Sequence, residues 1–375
     1  MQIAFNGQRL AGQRFGVGRY IEYLLHHWND MLPPEDTLTV FTRQPLEQGP
    51  GEFGPRVKAS LLAYAGSGIP WENMHLRRAA AQHHVLFCPA YTVPIFYRGP
   101  LVVATHSVNE TNPAAHTFRY RQTYSRIYRH SARIADRVIV PALMTKQAVI
   151  NYYGVPESRV SIVHQGASDA FRPITDPEII AQTRRRFFPD GRPYILFVGS
   201  GSHRRNIPML IAAFARLRAE GFPHGLVLFG PYKGDTPLPP LLAELGVTDD
   251  VHQTPGKLEH HSDIVPVYGA ADVFVHPSEN EGWSMTTVEA MACGVPVIAS
   301  KRGGLGEVTD GYALMLDPPS IDSLTDALRR VLSEDRLRDD LRRRSIERGR
   351  QLRWDEIARQ TLDIVRDVGR ARKRT

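Results

Sequence analysis

The chain has 375 residues, 42% hydrophobic and 23% charged, with 46 Lys and Arg against 39 Asp and Glu for a formal charge of +7. This is the composition of a soluble globular protein with room for two domains. No apolar stretch approaches the roughly 18–20 residues that span a bilayer, and residues 1–6 have neither the basic start nor the apolar core of a signal peptide. The two cysteines, Cys88 and Cys293, are far apart and form no disulfide framework, so a reducing, cytoplasmic setting is expected. No Cys/His spacing suggests a metal site, since His83-His84 and His260-His261 are adjacent pairs that do not share a face. The basic balance, with clusters at 119–137, 342–344 and in the tail 370–374, suits anionic partners: a nucleoside diphosphate, a lipid phosphate or an anionic membrane surface. Nucleic acid is not expected, because no nucleic-acid module is recognisable.

Strand and helix patterns alternate along the chain, which argues for parallel sheets with crossover helices. In the first half the expected strands are 2–6, 37–42, 85–89, 101–105, 137–140 and 160–164, and the expected helices include 18–31, 117–135 and 143–153. The first strand runs into Asn6-Gly7 and then Gly12-Gln13-Arg14-Phe15-Gly16-Val17-Gly18. This Gly-x-Gly is a weak dinucleotide signal, because Ile21 stands where the fingerprint needs its third glycine; a flexible glycine turn is the plain alternative. His106 follows the strand at 101–105, where a strand-ending polar residue and a functional histidine are equally compatible. The segment 117–137 sets Arg119, Arg126, Arg129, Arg133 and Arg137 near one helical face, beside Tyr120, Tyr124 and Tyr128. A solvated basic face is the default; docking on anionic lipid or a polyprenyl-phosphate acceptor is the sharper reading.

The polar, proline-bearing stretch 169–177 is the best linker candidate. A second α/β block follows, with a strand at 194–198, a helix at 207–220, a strand at 226–229 and a helix at 239–245. Between the first two lies Gly199-Ser200-Gly201-Ser202-His203-Arg204-Arg205-Asn206, a glycine turn and helix start with Asn206 as the expected N-cap and Pro208 in the first turn. Adjacent arginines are ordinarily solvated, but on a glycine loop at a strand end they suit a phosphate, which guanidinium matches in bidentate fashion. The last element, 354–368, reads as an amphipathic helix with Ile357, Leu362, Ile364 and Val365 as apolar positions.

The block 271–298 is the most informative. A buried strand ends at His276, a polar turn holds Glu281 and Gly282, and a short helix leads to a second apolar strand. In open α/β sheets ligands bind beyond the carboxyl ends of the strands, where helix N-termini present free N–H groups. Two carboxylates spaced Glu281-x7-Glu289 in such a turn can accept hydrogen bonds from hydroxyls, so the block fits a phosphorylated polyol such as a nucleotide-sugar. Glu289 also has a local structural reading, since Thr286-x-x-Glu289 matches a capping box with Thr286 as N-cap.

At these residues the chain resembles the retaining glycosyltransferases of family 4, whose E-x7-E motif is followed by a Glu-Ala-Met-Ala-Cys-Gly-x-Pro-Val-Ile-Ala-Ser run, here 289–300 letter for letter. The resemblance implies an α/β fold of GT-B type, two Rossmann-like domains with parallel sheets facing across a cleft. The expected parts are 1–172, on the acceptor side; 173–352, for the nucleotide-sugar; and 353–375, a helix returning to the first domain. It implies that Glu281 contacts the transferred sugar, that the backbone after Gly282 (Trp283, Ser284, Met285, Thr286) holds its hydroxyls, and that Glu289 takes the donor ribose. Arg204 and Arg205 fall where the family clamps the diphosphate, with Ser200 where some relatives carry an arginine. The loop Gly256-Lys257-Leu258 matches one whose backbone reads the base, and Gly16 and Gly18 match glycines that approach the donor phosphates and the acceptor. His106 matches a histidine facing the donor sugar and is the expected catalytic contributor of the first domain, and Ser107 replaces the family's aspartate.

The implied activity is retaining, metal-independent transfer of a hexose from a nucleoside-diphosphate sugar to a hydroxyl of a glycan or lipid-linked acceptor, without a cofactor and with a peripheral contact at the inner face of the membrane. GDP-mannose and UDP-hexoses both fit as donors. A nucleotide-sugar-binding module without turnover is the alternative, as is an epimerase or glycoside phosphorylase of the same architecture, although the E-x7-E motif speaks against the last two.

Overall fold

The computed structural model describes residues 1–12, 14–47, 49, 51–111, 117–234 and 236–371. Gln13 of the first glycine loop and the tail residues Arg372, Lys373 and Arg374 lie outside the described residues. The chain divides into two units: Met1–Gln165 together with the chain from Trp354, and Gly166–Arg353.

The first unit is built from β1 (Gln2–Asn6), α1 (Val17–Met31), β2 (Thr37–Thr42), β3 (Val57–Leu61), α2 (Gly68–Trp71), α3 (Arg77–Ala80), β4 (Val85–Cys88), β5 (Leu101–Ala104), α4 (Phe118–Ile134), β6 (Arg137–Val140), α5 (Leu143–Ala148) and β7 (Val160–Ile162). The seven strands are parallel in the order β3-β2-β1-β4-β5-β6-β7. Strands covered on both faces need continuous apolar runs, and β4, Val-Leu-Phe-Cys, is buried at every residue. Tyr20, Ile21, Leu24, Leu25 and Trp28 form the buried stripe of α1, at the spacing of one helical face. Phe5 meets Trp28 edge-on, with ring centroids 5.8 Å apart.

Three local readings change. The edge strand β3 escapes the sequence pattern because Lys58 and Ser60 interrupt it. The helix expected at 143–153 ends at Ala148 and continues as a π-helical turn, Val149–Tyr153, closed by Gly154 at φ 69°. Arg137 belongs to β6 rather than to the helix face, because α4 stops at Ile134. Arg129 Nη2 donates to Tyr152 O (2.9 Å) and Arg133 Nε to Tyr153 O (2.5 Å). Part of the basic face thus caps carbonyls at a neighbouring helix end.

The second unit comprises α6 (Pro177–Phe187), β8 (Tyr194–Val198), β9 (Gly201–Ser202), α7 (Ile207–Ala219), β10 (Gly225–Phe229), β11 (Tyr232–Lys233), α8 (Leu238–Glu244), β12 (Val251–Thr254), α9 (Val265–Gly269), β13 (Val273–His276), α10 (Met285–Ala292), β14 (Val297–Ser300), α11 (Gly303–Thr309), β15 (Leu314–Leu316), α12 (Ile321–Ser333) and α13 (Asp335–Gln351). Its main sheet is parallel, in the order β12-β10-β8-β13-β14-β15. The stretch 169–177 is not a free linker: Phe171 is buried, with its ring 5.2 Å from that of His261 and 6.0 Å from that of Tyr268. One aromatic anchor overrides the polar composition around it.

The last helix, α14 (Trp354–Ala371), packs in the first unit. Trp28 Nε1 donates to Ala358 O at 2.8 Å, and Trp354 stacks on Tyr23 with centroids 5.2 Å apart. No helix among the described residues is long and apolar enough to cross a membrane.

Candidate active site

In the second unit the strand order reverses at β8, which lies between β10 and β13. Such a switch point opens a crevice at the carboxyl ends of the strands, and the loops leaving β8 and β13 carry the candidate residues. Gly199 follows β8 at φ 136°, and a Cβ there would lie 1.9 Å from Arg205 Nη1. A side chain at this position would displace the guanidinium, so glycine is required twice over, by backbone angle and by space.

The loop after β13 is tied to its neighbours through the backbone. Glu279 N donates to Arg204 O (2.8 Å) and Gly304 N to Glu281 O (2.7 Å). Within this frame Glu281 Oε1 lies 2.6 Å from Arg204 Nη1, 3.2 Å from Arg205 Nε and 3.3 Å from His276 Nε2, and it accepts from Ser278 Oγ at 3.4 Å. Burial alone would raise the Glu281 carboxyl, but Arg205, the His276 hydrogen bond and Arg204 outweigh it and hold the group well below the usual carboxylate range. Burial lowers the pKa of His276, leaving a neutral ring that donates from Nε2.

Arg205 is the unusual member. Its Nη1 is buried and has no hydrogen-bond acceptor in the protein. Burial lowers its pKa, and Glu281 counteracts this. An unsatisfied buried guanidinium nitrogen is costly, and an anion in the crevice would satisfy it.

The helix after Gly282 starts two residues earlier than the sequence suggests. Ser284, not Thr286, is the N-cap of α10, its Oγ accepting from Thr287 N at 3.3 Å. Glu289 therefore lies beyond the capping-box position. Its Oε2 accepts from Tyr268 OH at 2.9 Å, and His261 Nε2 lies 3.5 Å from Oε1. Asn206 occupies the N-cap position of α7 at φ 52°, but its side chain makes no capping bond and its Nδ2 turns to Met209 Sδ. Trp283 is buried, while Gly282, Met285 and Thr286 are half-buried. Gly256 takes φ 67°, and a Cβ there would strike Gly230 Cα at 2.7 Å. Lys257 beside it is exposed, and Leu258 and Ser200 are half-buried.

Gly16, Gly18 and His106 belong to the first unit. Gly16 is the N-cap of α1 at φ 46° and is exposed, whereas Gly18 is buried in its first turn. His106, expected as a catalytic contributor facing the donor sugar, is held at both ring nitrogens. Its Nε2–H donates to Pro89 O (2.7 Å), and its Nδ1 accepts from Gln165 Nε2 (2.8 Å). Burial lowers the ring to about 4. Both ring nitrogens are engaged and burial keeps the ring neutral near neutral pH, so His106 is held in a fixed orientation.

The family model for glycosyl transferases group 1 matches residues 179–351, and that for glycosyltransferase family 4 matches 16–171. The chain belongs to the family 4 glycosyltransferases. It is 25% identical over 233 residues to the O-antigen chain mannosyltransferase B of Escherichia coli, a match covering 62% of this chain and 61% of that protein. It is 36% identical over 167 residues to the MMP alpha-(1->4)-mannosyltransferase of Mycolicibacterium hassiacum, covering 43% and 39%. The chain thus spans about half the length of the curated relatives it matches. The sucrose-phosphate synthase of Thermosynechococcus elongatus superposes with a TM-score of 0.80 at 21% identity, over 99% of both chains. The fold is GT-B.

In this family 4 chain, Glu281, Arg204 and Arg205 come together in one cluster, and His276 and Ser278 join it. Neither of the last two was singled out from sequence. A histidine closing a fully apolar strand was the available signal for His276. Its contact with Glu281, five residues on, depends on how the turn folds back.

Proposed function

We propose that the protein transfers a hexose from a nucleoside-diphosphate sugar to a hydroxyl of a glycan or lipid-linked acceptor, with retention at the sugar and without a metal ion. The observation that carries this reading is the buried Arg205 Nη1, which has no acceptor in the protein and sits at a strand-end crevice. A diphosphate would supply the acceptor, and Arg204 and Arg205 would stabilise the charge on it as it departs. The two curated relatives described above are named as mannosyltransferases, which favours mannose among the hexoses.

Glu281 Oε1 is engaged by Arg204, Arg205 and His276, and an oxygen so occupied is poorly placed to attack a sugar carbon. This supports front-face transfer: the acceptor oxygen bonds to the anomeric carbon as the bond to the diphosphate breaks, and the acceptor proton passes to the departing phosphate oxygen. Glu289, the backbone from Gly282 to Thr286, and the loop Gly256-Lys257-Leu258 are assigned to the donor ribose, the sugar hydroxyls and the base, as the family resemblance implies. Gly16, Gly18 and Ser200 are assigned to the phosphate end on the same ground.

A thermal-shift panel of GDP, UDP, ADP and dTDP tests the donor assignment, because a ligand bound only by the folded state stabilises it. Nucleotide release from the matching donor then separates an enzyme from a binding module, and the anomeric configuration of the product tests retention. No shift with any of the four would overturn the reading. A peripheral membrane contact through Arg119 and Arg126 of α4, both exposed, belongs to the same proposal. Failure to sediment with anionic vesicles at low salt would remove that part.

A further inference from the structure

The last torsion of a glutamate side chain is broad and roughly two-fold, so packing alone sets the plane of its carboxylate only loosely. Glu289 is buried in α10, and two side chains from one neighbouring segment address its two oxygens. Tyr268 OH donates to Oε2 at 2.9 Å, and His261 Nε2 lies 3.5 Å from Oε1. The first contact is a short hydrogen bond and the second a looser one.

Both orienting groups are themselves held. Tyr268 belongs to α9 and is fully buried, with its ring 6.0 Å from that of Phe274 on β13. His261 opens the 3-10 turn His261–Ile264, where Asp263 Oδ2 accepts from His260 N at 2.9 Å. Phe171 braces both rings, 5.2 Å from His261 and 6.0 Å from Tyr268. In a close-packed interior neither ring can swing aside without moving its neighbours. Tyr268 also lies within electrostatic range of Arg205. It therefore interacts with both the carboxylate assigned to the ribose and the arginine assigned to the diphosphate.

We infer that Tyr268, with His261 as a weaker second, is a positioning residue for nucleotide recognition: its hydroxyl holds Oε2 so that Oε1 is presented to a ribose hydroxyl, and the preference for a ribonucleotide over its 2′,3′-dideoxy form depends on it. The inference rests on the assignment of Glu289 to the donor ribose. A carboxylate oxygen has two lone-pair sites, so Oε1 can accept from a ribose hydroxyl beside His261. A carboxylate free to rotate would meet that hydroxyl in only part of its orientations, and fixing it beforehand removes the ordering cost from binding. A purely structural Tyr268–Glu289 pair would stabilise the fold and leave the preference untouched.

Calorimetric titration of the full chain with GDP, UDP and ADP, and with the 2′,3′-dideoxy form of whichever binds most tightly, tests it. The wild type should bind the ribonucleotide about tenfold or more tighter than its dideoxy form. Tyr268→Phe should reduce that ratio to about threefold or less and bind the dideoxy form nearly as well as the wild type does. His261→Ala should reduce the ratio by a smaller factor, and it carries the same comparison where Tyr268→Phe does not fold. In a Glu289→Ala background the ratio should already be low and Tyr268→Phe should not lower it further, as expected of a residue that acts through another. An unchanged ratio in Tyr268→Phe, or in His261→Ala where that variant stands in for it, would overturn the inference. So would equal losses for both ligands, which indicate a structural pair. A wild type that binds both forms equally would overturn it as well, yet leave the diphosphate site standing, because Arg205→Ala would still weaken both. Failure to bind any nucleoside diphosphate would instead remove the glycosyltransferase reading, and the positioning role with it.

Discussion

Arg204 and Glu281 form an ion pair of 2.6 Å between the loop that leaves β8 and the loop that leaves β13. The pair joins two loops of the second unit directly, and Arg205 and His276 converge on the same carboxylate oxygen. Removing one partner of a buried charge cluster leaves the others uncompensated, so stability and chemistry are coupled at this point.

Glu281→Gln is expected to lower turnover by about 10²-fold, a magnitude typical of losing a preorganised electrostatic contact. Nucleoside diphosphate affinity should stay the same or improve, because both arginines lose their competing carboxylate. The folded protein should lose about 3 kcal/mol. Since the folded carboxyl is held below its ordinary value of 4.5, the advantage of wild type over the variant should be complete above that pH and shrink as the pH falls below it. Steady-state kinetics and urea denaturation would check this, and unchanged turnover would remove Glu281 from the sugar.

Arg205→Ala should weaken nucleoside diphosphate binding by about 10- to 100-fold and leave nucleoside binding nearly unchanged, because a hydrogen bond to a charged group contributes roughly 1.5–3 kcal/mol. Arg205→Lys should recover part of the loss, since the charge returns without the fork. Equal losses for nucleoside and diphosphate would indicate a folding defect instead.

Glu72→Gln separates burial from hydrogen bonding in the first unit. Burial raises the Glu72 carboxyl to about 7, against the pull of Thr92 and Asn6. A carboxyl raised in the folded state stabilises the protein at low pH, and that stability is lost as the pH rises from about 4.5 to about 7. The glutamine keeps an oxygen to accept both hydrogen bonds and cannot ionise. Between pH 4.5 and 7 the variant should therefore gain up to about 3 kcal/mol relative to wild type. Parallel stability–pH curves for the two proteins would refute the assignment.

His106 should titrate near pH 4, as its ring resonances followed by NMR would report. The activity profile of His106→Asn should keep the wild-type shape between about pH 5 and 8, with only its amplitude reduced. A wild-type inflection in that range that vanishes in the variant would mean that the ring carries a proton in the reaction.

Much of this was legible locally. Strand cores such as 194–198, the glycine turn at Gly199 and the Glu281-x7-Glu289 block depend on period, turn chemistry and spacing, which are properties of neighbouring residues. The family resemblance carried over the same short segments. Tertiary structure decided what lies between distant segments. Ser284 caps α10 because the turn from Glu281 sets where helical angles begin, a choice that Thr286-x-x-Glu289 could not reveal. Phe171 turns an apparent linker into packed chain because an aromatic ring finds His261 and Tyr268 across the unit. His276 and Ser278 reach Glu281 only once the turn folds back, and His106 is oriented by Pro89 and Gln165, which only the fold brings within hydrogen-bonding distance. Burial and long-range hydrogen bonding set charge states and partners, and neither is encoded in the spacing of residues along the chain.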